Sequence, residues 1–279
     1  MQAIINQLIQ LQELLLIHDE QQVAGSDVTT HQQIDEAIRK MQAQLPPDVA
    51  SMFIKLYKKD HNFIVRIHDD VCSACRMHLP TSVVQAVRTL KQITVCPNCA
   101  RILYYVEGAP RHLGRGRTGS GYETAGIARF SAPSLMIPRL ESTDREGVIR
   151  ELAYRMEYEG FITGTEKLIE EALRRESILS TAVEHGIAFP HVRGVEGGGL
   201  TLALGLSPKG VRFDSSGKQL THIIFFVVIP TVASAFYLRL LAGLTEALSK
   251  NEARKALLEE KESEKLWKTL LKITRATVK

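Results

Sequence analysis

The sequence predicts a multidomain protein with a helical hairpin, a four-cysteine metal-binding segment and a C-terminal α/β domain. Apolar residues recur at three- and four-residue steps near the N-terminus, a spacing typical of helices. Two Cys-x2-Cys pairs follow, and after residue 132 helical stripes alternate with apolar, strand-like runs. With 279 residues the chain is long enough for two domains, since single cores usually stop growing near about 250–300 residues.

Composition and charge indicate an ordinary soluble protein. The net charge is +4 and the pI is about 8.8, which weakly favours an acidic or nucleic-acid partner and is more typical of a solvated surface. The N-terminus "MQAIINQLIQLQELLLIHDE" lacks the basic region of a signal peptide. The most apolar run, residues 223–229, is far shorter than the ~20 residues that cross a bilayer. We therefore expect a cytoplasmic protein without membrane insertion.

Residues 1–62 are predicted to form an antiparallel helical hairpin, with coiled-coil packing as one form of it. Pro46-Pro47 ends the second helix, and "DVASMFIKLYKK" begins a shorter third one. A small helical bundle with no binding role explains the same pattern equally well. The apolar positions that predict the two long helices are Ile4, Ile5, Leu8, Leu11, Leu15, Ile34, Ile38, Met41 and Leu45.

Residues 63–106 are predicted to form a zinc ribbon. The pairs Cys72-x2-Cys75 and Cys96-x2-Cys99 are separated by 20 residues, a spacing typical of a four-thiolate site. Four thiolates leave no coordination position for water, so the zinc ion has a structural role. Free thiols or a redox pair are the alternatives.

The two cysteine knuckles resemble those of bacterial coiled-coil proteins that carry a C4-type zinc ribbon. The runs that carry this resemblance are "VCSACRMHLP" and "VCPNCARILYY", which follow a helical hairpin. The resemblance covers residues 1–106 and implies a nucleic-acid or protein partner. His78, three residues after Cys75, is either a substitute zinc ligand or a surface side chain.

Residues 107–132 are predicted to be a flexible linker. The segment is rich in Gly and Arg and has no apolar period. Its Arg111, Arg115 and Arg117 could contact RNA or DNA, although a solvated tether is the simpler explanation.

Residues 133–279 are predicted to form the α/β domain. Their helical stripes and apolar runs alternate, and the run at 221–229 is apolar enough for a strand buried on both faces. The predicted helices cover residues 145–160 and 164–178 and the runs "ASAFYLRLLAGLTEALSK" and "EARKALLEEKESEKLWKTLLKI", and the predicted strands cover residues 200–206 and 221–229.

The stretch "EHGIAFPHVRG" places His185 and His191 at the two ends of an apolar run. Phosphoryl transfer through histidine needs an exposed, unprotonated ring nitrogen, and cationic or N–H donors for the phosphoryl oxygens. Pro190 fixes the backbone before His191, and the guanidinium of Arg175 matches a phosphate. From these residues alone a structural histidine is the commoner case. A metal site at the two histidines lacks a third ligand of obvious spacing.

A longer run, "RRESILSTAVEHGIAFPHVRG", followed by "LALGLSPKGVRFDSSGKQLTHIIFFVVIP" and "YLRLLAGLTEAL", resembles the fructose/mannitol-type enzyme IIA domain of the bacterial phosphotransferase system. That family includes a nitrogen-regulatory form. The resemblance implies a mixed sheet flanked by helices, with His191 as the phosphorylated residue and Arg175 as a phosphate-site arginine. It places His185 near the active histidine, and Ser180 and Thr181 in the phosphate pocket.

The sequence departs from that family at Tyr237, in "AFYLRLL", where the family usually has a second histidine. A tyrosine hydroxyl can hydrogen-bond a phosphoryl oxygen or the imidazole, but it carries no positive charge. The alternative is that Tyr237 only packs on the sheet. The run "IPTVASAF" also lacks the acidic residues often found after that strand.

The resemblance implies a phosphoryl carrier or regulator. Its histidine receives a phosphoryl group from the histidine-containing phosphocarrier protein and passes it to a sugar-transporter domain or keeps it as a regulatory mark. Regulation is favoured, because no transporter domain accompanies this domain in the sequence. The alternative function is a zinc-ribbon module that binds nucleic acid or protein, with a degenerate enzyme IIA domain as its sensor.

Overall fold

The computed structural model of the chain describes residues 1–24, 28–106, 126–214 and 219–278. Contacts between residues divide the chain into two compact units, and the main boundary between them in the sequence lies near residue 109. Within the described ranges, no helix combines the length and the apolar character that a membrane span requires.

Most of the predicted linker lies outside the described residues. This part covers residues 107–125 and includes Arg111, Arg115 and Arg117, so the linker and its contacts stay predictions. The described chain resumes with a 3-10 turn, Gly126–Arg129.

The first unit begins with three helices, which are α1 Gln2–Ala24, α2 Val28–Ala43 and α3 Pro47–Tyr57. Pro47 lies in the first turn of α3, where its missing N–H leaves no helical hydrogen bond unmade. The helical N-terminal region is therefore confirmed. Its buried apolar residues include Ile5, Leu8, Leu11, Leu15, Ile34, Ile38 and Phe53.

A small sheet follows, made of β1 Ile64–His68, β2 Val71–Cys72 and β3 Ile102–Tyr105. The strand β1 pairs antiparallel with β2 and parallel with β3. Between the two cysteine pairs lies helix α4 Thr81–Thr89, which the sequence did not predict. Its run "TSVVQAVRT" is short and rich in β-branched residues, which have only modest helix propensity.

One side chain of α1 forms hydrogen bonds with the first residue of β1. The Gln12 amide donates to the Ile64 carbonyl at 3.0 Å and accepts the Ile64 N–H at 2.9 Å. The side chain thus satisfies both backbone groups of one residue, as a neighbouring strand would. Within the first unit, the helical part and the ribbon are joined by specific polar contacts as well as by apolar packing.

The second unit is built on the strands β4 Met136–Ile137, β5 Ala182–Val183, β6 Ile187–Ala188, β7 His191–Val195, β8 Thr201–Val211 and β9 Thr221–Pro230. Their order in the sheet is β4-β8-β9-β6-β5, and β7 also pairs with β9. The central strand β9 is antiparallel to β8 and parallel to β6 and β7. The predicted mixed sheet is confirmed, and β9 is buried along nearly its whole length.

Helices cover this sheet, and they account for the rest of the predicted α/β fold. The last predicted helix is wrong in one respect, because it is interrupted at the charged run "EEKE". There Glu262 has an extended backbone, with φ −122° and ψ 137°, so a new helix begins after it. The helices are α5 Arg145–Tyr158, α6 Thr165–Ile178, α7 Ser234–Ser249, α8 Asn251–Leu258 and α9 Ser263–Thr274.

The edge of β9 that pairs with β6 and β7 is interrupted at Pro190. Proline has no N–H for the ladder, so β6 ends at Ala188 and β7 begins at His191. The Pro190 carbonyl still accepts the Val227 N–H at 3.0 Å, which keeps the two short strands in line. As a result, His191 opens a new strand in register with Val227.

Replacing Gly243 with Ala should destabilise the second unit. A Cβ at this position of α7 would lie 2.6 Å from the Thr277 carbonyl oxygen and 2.9 Å from Val278 Cγ2. We expect the free energy of unfolding to fall by about 1–3 kcal/mol, the usual cost of overpacking. Denaturant unfolding followed by the fluorescence of Trp267, the single tryptophan, measures the change. Gly199→Ala is the control, since its added Cβ meets nothing within 4 Å. Equal unfolding midpoints for the two variants would contradict this packing.

Candidate functional site

The four cysteine sulfurs of the ribbon converge on one point. Cys72 ends β2, Cys75 lies in the turn after it, and Cys96 and Cys99 lie just before β3. All four sulfurs are within 4.8 Å of one another. The Cys72–Cys99 and Cys75–Cys96 sulfur pairs are 3.8 and 3.7 Å apart.

These separations fit a tetrahedral metal site. Two sulfurs bound to one zinc ion at about 2.3 Å, at the tetrahedral angle, lie about 3.8 Å apart. Disulfide sulfurs lie about 2.05 Å apart, so the cysteines are not arranged as disulfides. In the described part of the chain, the four cysteines form the one such cluster of candidate ligands, and His78 is exposed and is not part of it.

The thiols differ in how readily they ionise. Burial raises the pKa of Cys72 and of Cys96. Burial also acts to raise the pKa of Cys75, but hydrogen bonds outweigh it, led by those from the Asn98 side chain and the Met77 backbone, and lower this pKa to about 6. Cys75 is therefore the thiol that these groups best prepare to bind a cation as a thiolate.

A guanidinium lies beside this cluster. Arg101 forms an ion pair with Asp60 and donates to the Asn62 carbonyl at 2.8 Å. Partial burial acts to lower its pKa, but hydrogen bonds and charges, led by the bond to Cys99, raise it overall. Four thiolates around a divalent ion carry a net charge of about −2, and Arg101 offsets part of that charge.

In the second unit, His191 is the first residue of β7 and its side chain is buried, with a relative exposure of 1%. Its Nδ1 lies 2.9 Å from the Phe189 carbonyl oxygen. A carbonyl oxygen can only accept, so the proton of the neutral imidazole is on Nδ1. The lone pair is then on Nε2, and this nitrogen is the nucleophile that the arrangement provides.

Tyr237, near the start of α7, packs against this imidazole. The two rings have their centroids 5.1 Å apart, and the Tyr237 hydroxyl oxygen lies 3.2 Å from Nδ1 of His191. Because Nδ1 carries the proton, this oxygen is a second acceptor for the same N–H. This packing contributes to the burial of the imidazole. Phosphoryl transfer requires an exposed ring nitrogen, so the burial differs from the expectation drawn from the sequence.

Arg193 adds a permanent positive charge to the site. It follows His191 by two residues in β7, so both side chains lie on the same face of the sheet. Its guanidinium carbon lies 4.9 Å from the centroid of the Tyr237 ring, and its terminal nitrogens are buried. The three side chains His191, Tyr237 and Arg193 therefore form one cluster.

Arg175 lies in the last turn of α6 and is buried. One of its terminal nitrogens donates to the Leu179 carbonyl at 2.9 Å. This bond satisfies one of the carbonyls at the C-terminal end of the helix, where a cation is also favourable. The guanidinium thus has a structural bond besides any contact that it makes with a phosphoryl group.

The hydroxyls of Ser180 and Thr181 bond to a carboxylate. Both donate to Glu176, at 3.0 Å from Ser180 and 2.7 Å from Thr181. The Thr181 N–H also donates to Glu176, at 2.8 Å. Glu176 is buried, so these three bonds replace the water that its carboxylate gives up.

His185 is not brought to His191. It is exposed, in a 3-10 turn, with a φ of 68°. Ile187 is in register with Ile223, and His191 is in register with Val227. At about 3.3 Å per strand residue, these four steps put His191 about 13 Å beyond Ile187, and His185 precedes Ile187.

Sequence reasoning missed three groups of the site. The sequence does indicate Arg193, because alternation along a strand places its side chain on the same face as that of His191. It also indicates Glu176, since a carboxylate shortly before a Ser-Thr pair at a helix end can accept hydrogen bonds from both hydroxyls. Nothing in the sequence indicates the Phe189 carbonyl, because residue types do not show which backbone group accepts a hydrogen bond.

The comparisons with known proteins divide the chain in the same way. Residues 71–103 match a C4-type zinc ribbon domain. A fructose-specific EIIABC component from Bacillus subtilis (strain 168) is 32% identical over 120 residues, which is 43% of this chain and 19% of that protein. A nitrogen regulatory protein from Bradyrhizobium diazoefficiens is 26% identical over 149 residues, which is 52% of this chain and 94% of that protein.

Among solved structures, the nitrogen regulatory protein IIA-Ntr from Neisseria meningitidis is 23% identical, with a TM-score of 0.47, and the match covers 52% of this chain and 98% of that one. Residues 130–273, just over half of the chain, match the family model of the EIIA 2 component. The chain therefore belongs to the EIIA 2 family of the phosphoenolpyruvate-dependent sugar phosphotransferase system.

Proposed function

We propose that the C-terminal domain, residues 133–279, is a phosphoryl carrier that receives the group on Nε2 of His191 from a phosphohistidine of the phosphocarrier protein. The observation that carries this proposal is the bond between Nδ1 of His191 and the Phe189 carbonyl. It leaves the lone pair on Nε2, as a histidine nucleophile requires. Membership of the EIIA 2 family supports the reaction class.

In the transfer, the lone pair of Nε2 attacks the phosphorus of the donor phosphohistidine. The N–P bond to Nε2 forms, and the N–P bond of the donor breaks. The donor ring, protonated on its other nitrogen, leaves as a neutral imidazole. His191 keeps its Nδ1 proton and becomes a phosphorylated imidazolium. Its N–H bonds to the Phe189 carbonyl and the Tyr237 oxygen then become charge-assisted and strengthen as the reaction proceeds.

Arg175 and Arg193 are proposed to bind the phosphoryl oxygens. Both carry a permanent positive charge in a planar fork that matches phosphate. Arg193 already packs on Tyr237, so it supplies a cation beside the position where Tyr237 replaces a second histidine. Because the His191 side chain has a relative exposure of 1%, docking of the donor must also move side chains that cover Nε2.

Incubation with the phosphocarrier system should label the chain with an acid-labile, base-stable phosphoryl group. His191→Ala should abolish the label, because it removes the nucleophile. His185→Ala is the matched control and should label like the wild type, since His185 lies at the far end of the strand edge. Radiolabel on a denaturing gel measures the extent. Equal labelling of His191→Ala and wild type would refute the site.

Removing the hydroxyl of Tyr237 should slow labelling. Tyr237→Phe keeps the ring on His191 but deletes the second acceptor of Nδ1–H. A hydrogen bond of about 1 kcal/mol predicts a rate about fivefold lower. Tyr158→Phe is the control, because that side chain is 85% exposed. An unchanged initial rate for Tyr237→Phe would mean that Tyr237 only packs on the sheet.

We propose that the phosphoryl group serves regulation. The similarity to a nitrogen regulatory protein extends over 94% of that protein, so nearly the whole of a regulatory relative corresponds to this domain. A transport role would require transfer onward to a sugar-transporter domain. The zinc ribbon on the same chain suits a binding role that phosphorylation at His191 modulates, with protein or nucleic acid as partner. Both the phosphocarrier and reduced thiols point to the cytoplasm.

We propose that zinc is the ion of the four-cysteine site and that its role is structural. The sulfur separations and the match to a C4-type zinc ribbon domain support it. When bound, the ion would neutralise the thiolates and close the ribbon. Cys72, Cys75, Cys96 and Cys99 would hold it, with every position of the tetrahedron taken by a thiolate.

The purified chain should contain about one zinc ion, and Cys75→Ser should lose it. His78→Ala is the control and should keep the metal, because His78 is exposed outside the cluster. Acidification should release zinc, since protons compete with the metal for the thiolates. Atomic absorption after dialysis measures the metal content. Loss of zinc from His78→Ala with retention in Cys75→Ser would contradict the ligand set.

A further inference from the structure

A chain of hydrogen bonds connects the carboxylate of Glu176 to the imidazole of His191. The Thr181 N–H and hydroxyl donate to the two carboxylate oxygens, at 2.8 and 2.7 Å. The Thr181 carbonyl accepts the Phe189 N–H at 3.2 Å, and the Phe189 carbonyl accepts from Nδ1 of His191 at 2.9 Å. The path leads from α6, across the short segment before β5, to the first residue of β7.

The peptide groups of Phe189 are the central link of this path. Its N–H and its carbonyl are both used, one toward Thr181 and the other toward His191. Its ring stacks on Phe225 of β9, with centroids 5.4 Å apart and the planes 15° from parallel. The side chain therefore anchors Phe189 to the sheet, while Thr181 sets the orientation of its backbone. A shift of Thr181 would move the Phe189 N–H and, through the Phe189 backbone, the carbonyl that accepts from Nδ1.

Glu176 is the anchored end of the path. It has a relative exposure of 2%, and it accepts from Ser180 as well as from the two donors of Thr181. An ionised carboxylate has acceptor capacity for all three donors, whereas a glutamine amide offers one oxygen and two N–H groups. The charge also strengthens each bond. Glu176 is therefore suited to fix Thr181 in a way that a neutral residue is not.

We propose that Glu176 is a positioning residue for phosphoryl transfer. Acting through Thr181 and Phe189, it keeps the proton of His191 on Nδ1 and the lone pair on Nε2. The inference rests on the proposed function, because it assigns Glu176 a task in the same reaction. It adds a residue that does not touch the phosphoryl group and leaves Ser180 and Thr181 with a supporting task.

The reaction itself makes this positioning matter. When Nε2 bonds to phosphorus, the ring becomes positively charged, and its Nδ1–H bond to the Phe189 carbonyl becomes charge-assisted. A substitution far from the reacting atoms that displaces them by about 1 Å can lower the rate about 100-fold. We therefore expect substitution of Glu176 to lower the maximal transfer rate and to leave the donor concentration at half-maximal rate unchanged.

Two variants of the full chain test the proposal. Glu176→Leu removes every acceptor and should lower the single-turnover labelling rate by about 10- to 100-fold. Glu176→Gln keeps one carbonyl oxygen, so its loss should be smaller, and it provides a test if the leucine variant does not fold. Glu170→Gln is the matched control, an exposed glutamate of the same helix. Its labelling rate should equal that of the wild type.

The ring signature separates positioning from general stability. In the 15N-histidine-labelled chain, long-range 1H–15N spectra report which ring nitrogen of His191 carries the proton, and His191→Ala assigns the signal. The wild type should show a protonated Nδ1, and Glu176→Gln should shift the signal toward a mixture of tautomers.

Three outcomes are distinct. A lower rate together with a shifted ring signature supports the proposal. An unchanged rate, or a lower rate with the wild-type ring signature, overturns it. Failure of the proposed function looks different, because the wild-type chain itself would then take no label, and the inference would fall with it.

Discussion

The site depends on one hydrogen bond, from Nδ1 of His191 to the carbonyl of Phe189, two residues earlier in the chain. The sheet makes this bond possible. Pro190 interrupts the ladder, the Val227 N–H keeps the Pro190 carbonyl in place, and β7 starts afresh at His191. The chain turns at Pro190 so that the His191 side chain reaches the Phe189 carbonyl. Backbone geometry thus decides which ring nitrogen keeps the lone pair.

The cluster around His191 suits a ring that becomes positively charged. Tyr237 offers a neutral acceptor to Nδ1–H, which a charged imidazolium binds more strongly than a neutral imidazole does. The positive charge that a second histidine would bring to the phosphoryl group is proposed to come from Arg193, which packs on Tyr237. In the proposed function, Tyr237 and Arg193 would share the tasks that a second histidine has in the family pattern. Docking of the proposed phosphoryl donor would have to uncover the buried imidazole.

Much of this architecture is predictable from residue spacing. The Cys-x2-Cys pairs predicted the four-cysteine cluster, and the apolar run of β9 predicted a strand buried on both faces. Contacts that depend on backbone groups or on tertiary packing were not predictable. The Phe189 carbonyl has no signature, and α4 was missed because its short run has weak helix propensity. The linker and the domain boundaries stay predictions.

The most direct test of the central claim is to find which ring nitrogen carries the phosphoryl group. Spectra of the phosphorylated, 15N-histidine-labelled chain report this through coupling between 31P and the ring nitrogens. The structure predicts one phosphorylated histidine, His191, with phosphorus bonded to Nε2 and a proton on Nδ1. Phosphorus on Nδ1 of His191, or on any other histidine, would contradict the account.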